Sequence, residues 1–145
     1  MSENKVYIFL HVIVEVEGRK PMLKPSLRAV YYAWFKKHAN EKGYRIHSVG
    51  GAADHVHFFI QLHPAQNLLQ VVKWLKEESH RFIDDSKLLT EPFHWESDYR
   101  AFSVSPSNYT QTIEYLAKQD EFHQQKTLEQ ELELIDKNRI KIDES

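Results

Sequence analysis

A chain of 145 residues with 41% hydrophobic residues is sized for one domain with a real core, and the absence of cysteine excludes disulfides and thiolate metal sites. The formal charge of −2 is unevenly placed: residues 1–119 hold 15 Lys/Arg against 13 Asp/Glu, and residues 120–145 hold 4 against 8, so charge gives a polyanion partner only weak support. No apolar stretch reaches the roughly 20 residues of a membrane helix and the first residues lack a secretory apolar core, which predicts a soluble, cytoplasmic protein with no membrane partner.

In chain order, Val6 to Val16 is rich in β-branched and aromatic residues and predicts a long first strand. Gly18 through Pro25 holds one glycine and two prolines, and predicts a connection. Ser26 to Glu41 predicts a helix, with Leu27, Val30, Tyr31, Trp34 and Phe35 at helical spacing and Gly43 at its stop. Tyr44 to Val49 predicts a second strand and Gly50-Gly51 a break. A third strand then carries Asp54-His55-Val56-His57-Phe58-Phe59-Ile60 to about Leu62.

Leu68 to Ile83 predicts a second amphipathic helix, through Leu68, Val71, Val72, Leu75 and Phe82. After a polar, turn-prone stretch, Tyr99 to Ser105 predicts the fourth strand. Pro106 and Ser107 supply helix-start chemistry for a helix through Ile113, Tyr115 and Leu116 to about His123. Leu128, Leu132 and Ile135 mark a further short helix, mostly charged. The order β-α-β-β-α-β followed by helix predicts an α+β fold of the ferredoxin-like, split βαβ kind: a four-stranded antiparallel sheet with helices on one face and a C-terminal helix returning to it. That pattern carries many functions, so it decides none by itself.

Chemistry enters with His55 and His57. Alternation along a strand puts both imidazoles on one face, where they can grip one divalent cation. Tyr115 and Gln119 are four apart and share a helical face. The Gln119 carboxamide oxygen suits a mixed His/His/oxygen site for Mg²⁺ or Mn²⁺, and two imidazoles favour Mn²⁺. Tyr115 then stands one turn away as a phenol nucleophile, which a cation helps by polarising a phosphate. Asp54 is a candidate to orient a metal-bound histidine from behind; ending a turn is its plainer role. The plainer roles elsewhere are hydrogen-bonded strand histidines, a tyrosine packed beside Ile113 and Leu116, and a surface glutamine. Trp34, Trp74 and Trp95 offer faces for base stacking, although packing suffices for the first two. Lys73, Lys76 and Arg81 form a solvated helix face, and Ser103, Ser105 and Ser107 fill turn and cap roles. His11, His38, His63, His94 and His123 are scattered and define no second metal site.

Three segments occur in matching order and spacing: Asp54-His55-Val56-His57, Tyr99-x-Ala101-Phe102-Ser103-Val104-Ser105-x-Ser107, and Tyr115-x-x-x-Gln119-x-Glu121-x-His123. Together they closely resemble the single-tyrosine HUH transposases of the insertion-sequence two-hundred/six-oh-five group. The resemblance runs from about Val6 to His123 and includes Arg19-x-Pro21-x-Leu23 and Gly50-Gly51. It implies that residues 1–125 are one catalytic domain, with 126–145 an acidic C-terminal extension. It also implies that His55, His57 and Gln119 bind the divalent metal, and that Tyr115 forms a covalent 5′-phosphotyrosine link. The implied partners are single-stranded DNA with hairpin ends and a second copy of the chain in a homodimer. A domesticated branch of the family processes repetitive extragenic palindromes. The chain departs from the family in reading Asp98-Tyr99-Arg100 before Ala101, and Ser79-His80 in the second helix.

The expected function is therefore metal-dependent nicking and rejoining of single-stranded hairpin DNA through Tyr115. Two rivals use the same residues. A retired or domesticated hairpin binder would keep the fold without nicking. A metallohydrolase would activate water at His55 and His57, without Tyr115 and without a covalent adduct. A third, a dimeric structural module without chemistry, leaves the coincidence of motifs unexplained.

Overall fold

The computed structural model describes residues 5–139. Strands β1 (Ile8–Val16), β2 (Arg45–Gly51), β3 (His55–Leu62) and β4 (Trp95–Val104) form one antiparallel sheet in the order β2-β3-β1-β4. Helices α1 (Pro25–Glu41) and α2 (Leu68–Ser86) make the two crossovers, which gives the ferredoxin-like α+β arrangement. Among the described residues no helix is long and apolar enough to cross a membrane.

Strand alternation divides the chain's apolar residues between two faces. Val12, Val14, Val56, Phe58 and Ile60 point beneath α1 and α2, against Leu27, Tyr31, Phe35, Val72 and Leu75. Each fully buried side chain of this kind contributes about 1.5–3 kcal/mol. Asn67 caps α2 by accepting from the Gln70 backbone, and Lys87 ends it in the left-handed region at φ 58°.

The opposite face carries Phe9, His11, Ile13, His55, His57 and Phe59. It lies under α3 (Tyr109–Ala117), a five-residue α4 (Gln119–His123) and α5 (Leu128–Arg139). Helix α3 sits on Phe9, Phe59 and Val104 through Leu116 and Ile113. Helix α5 lies on Ile13 and Phe102 through Leu128, Leu132 and Ile135. The spacing of those three residues, one helical stripe, makes α5 part of the sheet's cover despite its charge.

Three local expectations differ from the structure. Strand β4 starts at Trp95, because a register shift between Val14 and Val16 lets Trp95 pair with Val16; polar Glu96, Ser97 and Asp98 hide that strand in the sequence. Gly50 and Gly51 do not break the chain but complete β2, opposite His57 and Val56. The single helix expected to run to about His123 is interrupted at Lys118, at φ −103° and ψ 18°. Beyond the interruption, Arg28 of α1 donates to Asp120 at 2.8 Å and to the Leu23 carbonyl at 2.5 Å, and so holds the first turn of α4.

Candidate metal centre

Period-two alternation on β3 delivers His55 and His57 to the α3 side, both fully buried. Their Nε2 atoms are 3.0 Å apart. Each ring is held from behind through Nδ1. His55 Nδ1 lies 2.7 Å from Asp54 Oδ1, and His57 Nδ1 lies 2.6 Å from His11 Nε2. Fixing one nitrogen of an imidazole orients the other, which is how such partners prepare a metal ligand. Asp54 is itself held in the short β2–β3 connection, where its carbonyl accepts from Val16 at 2.9 Å.

Gln119, buried at the start of α4, places Oε1 3.0 Å from His55 Nε2. Tyr115, half-buried on α3, sets its ring across His57 at a centroid distance of 5.8 Å and an angle of 85°. The structure therefore brings together all five residues singled out in the sequence: Asp54, His55, His57, Tyr115 and Gln119.

It also adds one that the sequence did not disclose. Glu131 projects from α5 into the middle of the group and is only 1% exposed. Its Oε1 is 3.2 Å from His55 Nε2, 3.3 Å from His57 Nε2 and 3.0 Å from His123 Nε2. Its Oε2 accepts from Gln119 Nε2 at 2.7 Å and from the Tyr115 hydroxyl. His123 also lies 3.0 Å from Gln119 Oε1. Two histidines treated as scattered in the sequence, His11 and His123, thus border the group. His11 has no local signal, whereas His123 stands four residues after Gln119 in the motif that carries the family resemblance. The β1–β3 pairing brings His11 to His57, and helix α4, which carries Gln119 and His123 four residues apart, brings His123 to Gln119 and Glu131.

His55, His57 and Glu131 each offer a ligand atom within 4.8 Å of the others. Neighbouring ligands of an octahedral cation with bonds near 2.1 Å stand about 3 Å apart. The separations of 3.0–3.3 Å among His55, His57, Gln119 and Glu131 match those edges. Two imidazoles with a carboxylate form a borderline-to-hard donor set, compatible with a divalent ion.

The electrostatics agree with a cation at this point. Burial opposes a charge on His55, but the hydrogen bonds it donates to Asp54 and Glu131 carry its pKa up to about 9. Burial pushes His57 down to about 4. Although burial works against its charge, Glu131 is held well below the carboxylate range by His123, His55 and His57. Asp54 is likewise lowered, burial notwithstanding, by its bond to His55. With protein groups alone, a proton on His55 supplies the positive charge that a metal ion would supply more strongly. A cleft of about 380 Å³ opens beside the group, lined by Asp54, His123, Gln124, Gln125 and Lys126 among others.

Comparison with known proteins sets this geometry in a family. No curated protein matches the chain. Two transposases are among the solved structures that share the fold. One is a candidate transposase from Deinococcus radiodurans: 22% identity, 82% of this chain and 98% of that chain covered, TM-score 0.63. The other is a REP-associated tyrosine transposase bound to a REP hairpin: 15% identity, 85% and 74% covered, TM-score 0.58. The family model described as "Transposase IS200 like" matches residues 4–119. The chain belongs to the IS200-like transposase family, enzymes that act on DNA.

Proposed function

We propose that the protein is a metal-dependent nickase and rejoining enzyme for single-stranded hairpin DNA, with Tyr115 as the nucleophile. The observation that carries this reading is the meeting of the Tyr115 hydroxyl with the His55–His57–Gln119 group on one buried carboxylate, Glu131. His55, His57 and Gln119 are the metal ligands in this proposal, and Asp54 orients His55. A bound Mg²⁺ or Mn²⁺ would polarise the phosphate and offset the charge that develops on it.

In the step itself, the Tyr115 oxygen forms a bond to phosphorus while the bond from phosphorus to the 3′-oxygen breaks. The phenol loses its proton, the 3′-oxygen gains one, and the 5′-phosphate remains on Tyr115. A second 3′-hydroxyl can reverse the exchange, so joining needs no nucleotide cofactor. The hairpin-bound structural neighbour supports a hairpin partner, and the amide-rich cleft at Gln124 and Gln125 supports an extended polar ligand near the group. A homodimer belongs to the same proposal; β2 and β4 are the edges at which two sheets can join.

The test is a covalent-adduct assay with labelled single strands bearing the hairpins that flank the gene, in Mn²⁺ or Mg²⁺. Adduct that needs both metal and Tyr115 is expected. Cleavage without adduct, indifferent to Tyr115→Phe, would replace this reading with water activation at the histidines.

A further inference from the structure

We infer that Glu131 is the positioning residue of the nucleophile, a carboxylate from α5 that fixes Tyr115 and Gln119 relative to the histidine pair. The inference deepens the proposed function and rests on it for the identity of the nucleophile. Its ground is geometric. One oxygen of Glu131 faces the Nε2 atoms of His55, His57 and His123, and the other receives the Tyr115 hydroxyl and the Gln119 amide.

Two consequences follow from that division. A phenol on a nine-residue helix can swing about its side-chain bonds, and a charged acceptor at its hydroxyl ties the oxygen beside the metal ligands. The carboxamide of Gln119 has two possible orientations. Donation of its Nε2 to Glu131 turns Oε1 toward His55 and His123, which makes the oxygen the ligating atom. Glu131 thus sets both the nucleophile and one ligand.

The carboxylate can do this because its own place is fixed. Leu128, Leu132 and Ile135, each at most 9% exposed, seat α5 on the sheet, and Glu131 sits next to the middle one. A buried carboxylate is tolerated only with its oxygens satisfied, and here each oxygen has protein partners. Glu129 and Glu133 of the same helix are exposed and provide internal controls.

The experiment uses the full chain, its Glu131→Ala, Glu131→Gln and Glu133→Gln variants, and tyrosine labelled with ¹³C at the phenol carbon, with Tyr115 assigned through Tyr115→Phe. In chelator-treated protein, Glu131→Ala is expected to move the Tyr115 resonance and Glu133→Gln to leave it in place. With the flanking hairpin strands and Mn²⁺, adduct turnover is expected to fall ~100-fold in Glu131→Ala at unchanged DNA affinity, a misplacement effect. Glu131→Gln retains an oxygen that accepts from the phenol, is expected to recover part of that loss, and serves as the folded variant should alanine destabilise the domain. A stationary Tyr115 resonance would overturn the inference. So would turnover equal to or above wild type, which would make Glu131 a cover that DNA displaces. Wild-type protein without adduct would count against the nucleophile assignment instead, and the resonance would still decide whether Glu131 holds Tyr115.

Discussion

Gly50 and Leu116 are in backbone contact: a methyl group on Gly50 would overlap the Leu116 carbonyl. Leu116 follows Tyr115 on α3, so this missing side chain sets the depth at which the tyrosine meets the histidine face. Gly50→Ala is expected to cost about 1–3 kcal/mol, the usual penalty of overpacking. It is also expected to depress adduct formation beyond what the lost stability explains, because α3 must lift from β2. Thermal unfolding beside adduct turnover checks this; an unchanged Tm would show that α3 yields without strain.

His11 stands behind His57 as Asp54 stands behind His55. Removing such a partner typically weakens metal affinity about 10–100-fold while leaving the ligand itself in place. His11→Phe, of similar shape and next to Phe102 at a ring distance of 6.2 Å, should fold and show that loss for Mn²⁺ in calorimetry. Equal affinity would mean that packing alone orients His57.

Arg28 ties α1 to the start of α4 at Asp120, the residue after Gln119. Asp120 is largely exposed, so the ion pair is worth little to global stability. Its expected effect is local. Asp120→Ala, which leaves the buried bond from Arg28 to the Leu23 carbonyl in place, should keep Tm within about 4 °C, in line with a loss below 1 kcal/mol, and weaken Mn²⁺ binding through Gln119. A large fall in Tm would assign the Arg28–Asp120 pair to the fold instead.

Acid–base behaviour gives a prediction of definite sign. The folded pKa of His55 is raised from 6.5 to about 9, so its stabilisation is complete below pH 6.5 and lost as pH climbs through 9. His57 is lowered to about 4, so its contribution is present above pH 6.5 and is lost on acidification toward 4. Glu131 and Asp54 are lowered too, and add to that acid loss. Chelator-treated protein should therefore lose stability between pH 6.5 and 9, on the order of 3 kcal/mol. Stabilisation by added Mn²⁺ should grow over the same interval, because the ion displaces a proton from His55. Scanning calorimetry across that range decides; a flat profile in chelator would remove His55 from the charge balance.

Much of the fold was legible because period-two strands and 3.6-period helices leave their mark on neighbouring residues. His55 and His57 could be placed on one face from two positions of sequence. Tyr115 and Gln119 share a four-residue spacing, but the resemblance to the transposase family singled them out from other tyrosines and surface glutamines, and the chain between them is not one continuous helix. Glu131 was hidden because its role depends on α5 crossing the sheet, and a glutamate among Glu129, Glu133 and Asp136 looks like any solvated charge. His11 was hidden for a related reason: its partner is 46 residues away and is reached through strand register. Trp95 belongs to a strand whose polar residues conceal the alternation.

The most direct measurement of the central claim is the adduct assay with wild type, Tyr115→Phe and His57→Ala side by side, with Mn²⁺ and with chelator. The account predicts a protein–DNA adduct and a free 3′-hydroxyl for wild type in Mn²⁺, and no adduct in the other arms. Adduct that survives Tyr115→Phe, or that forms in chelator, would contradict it.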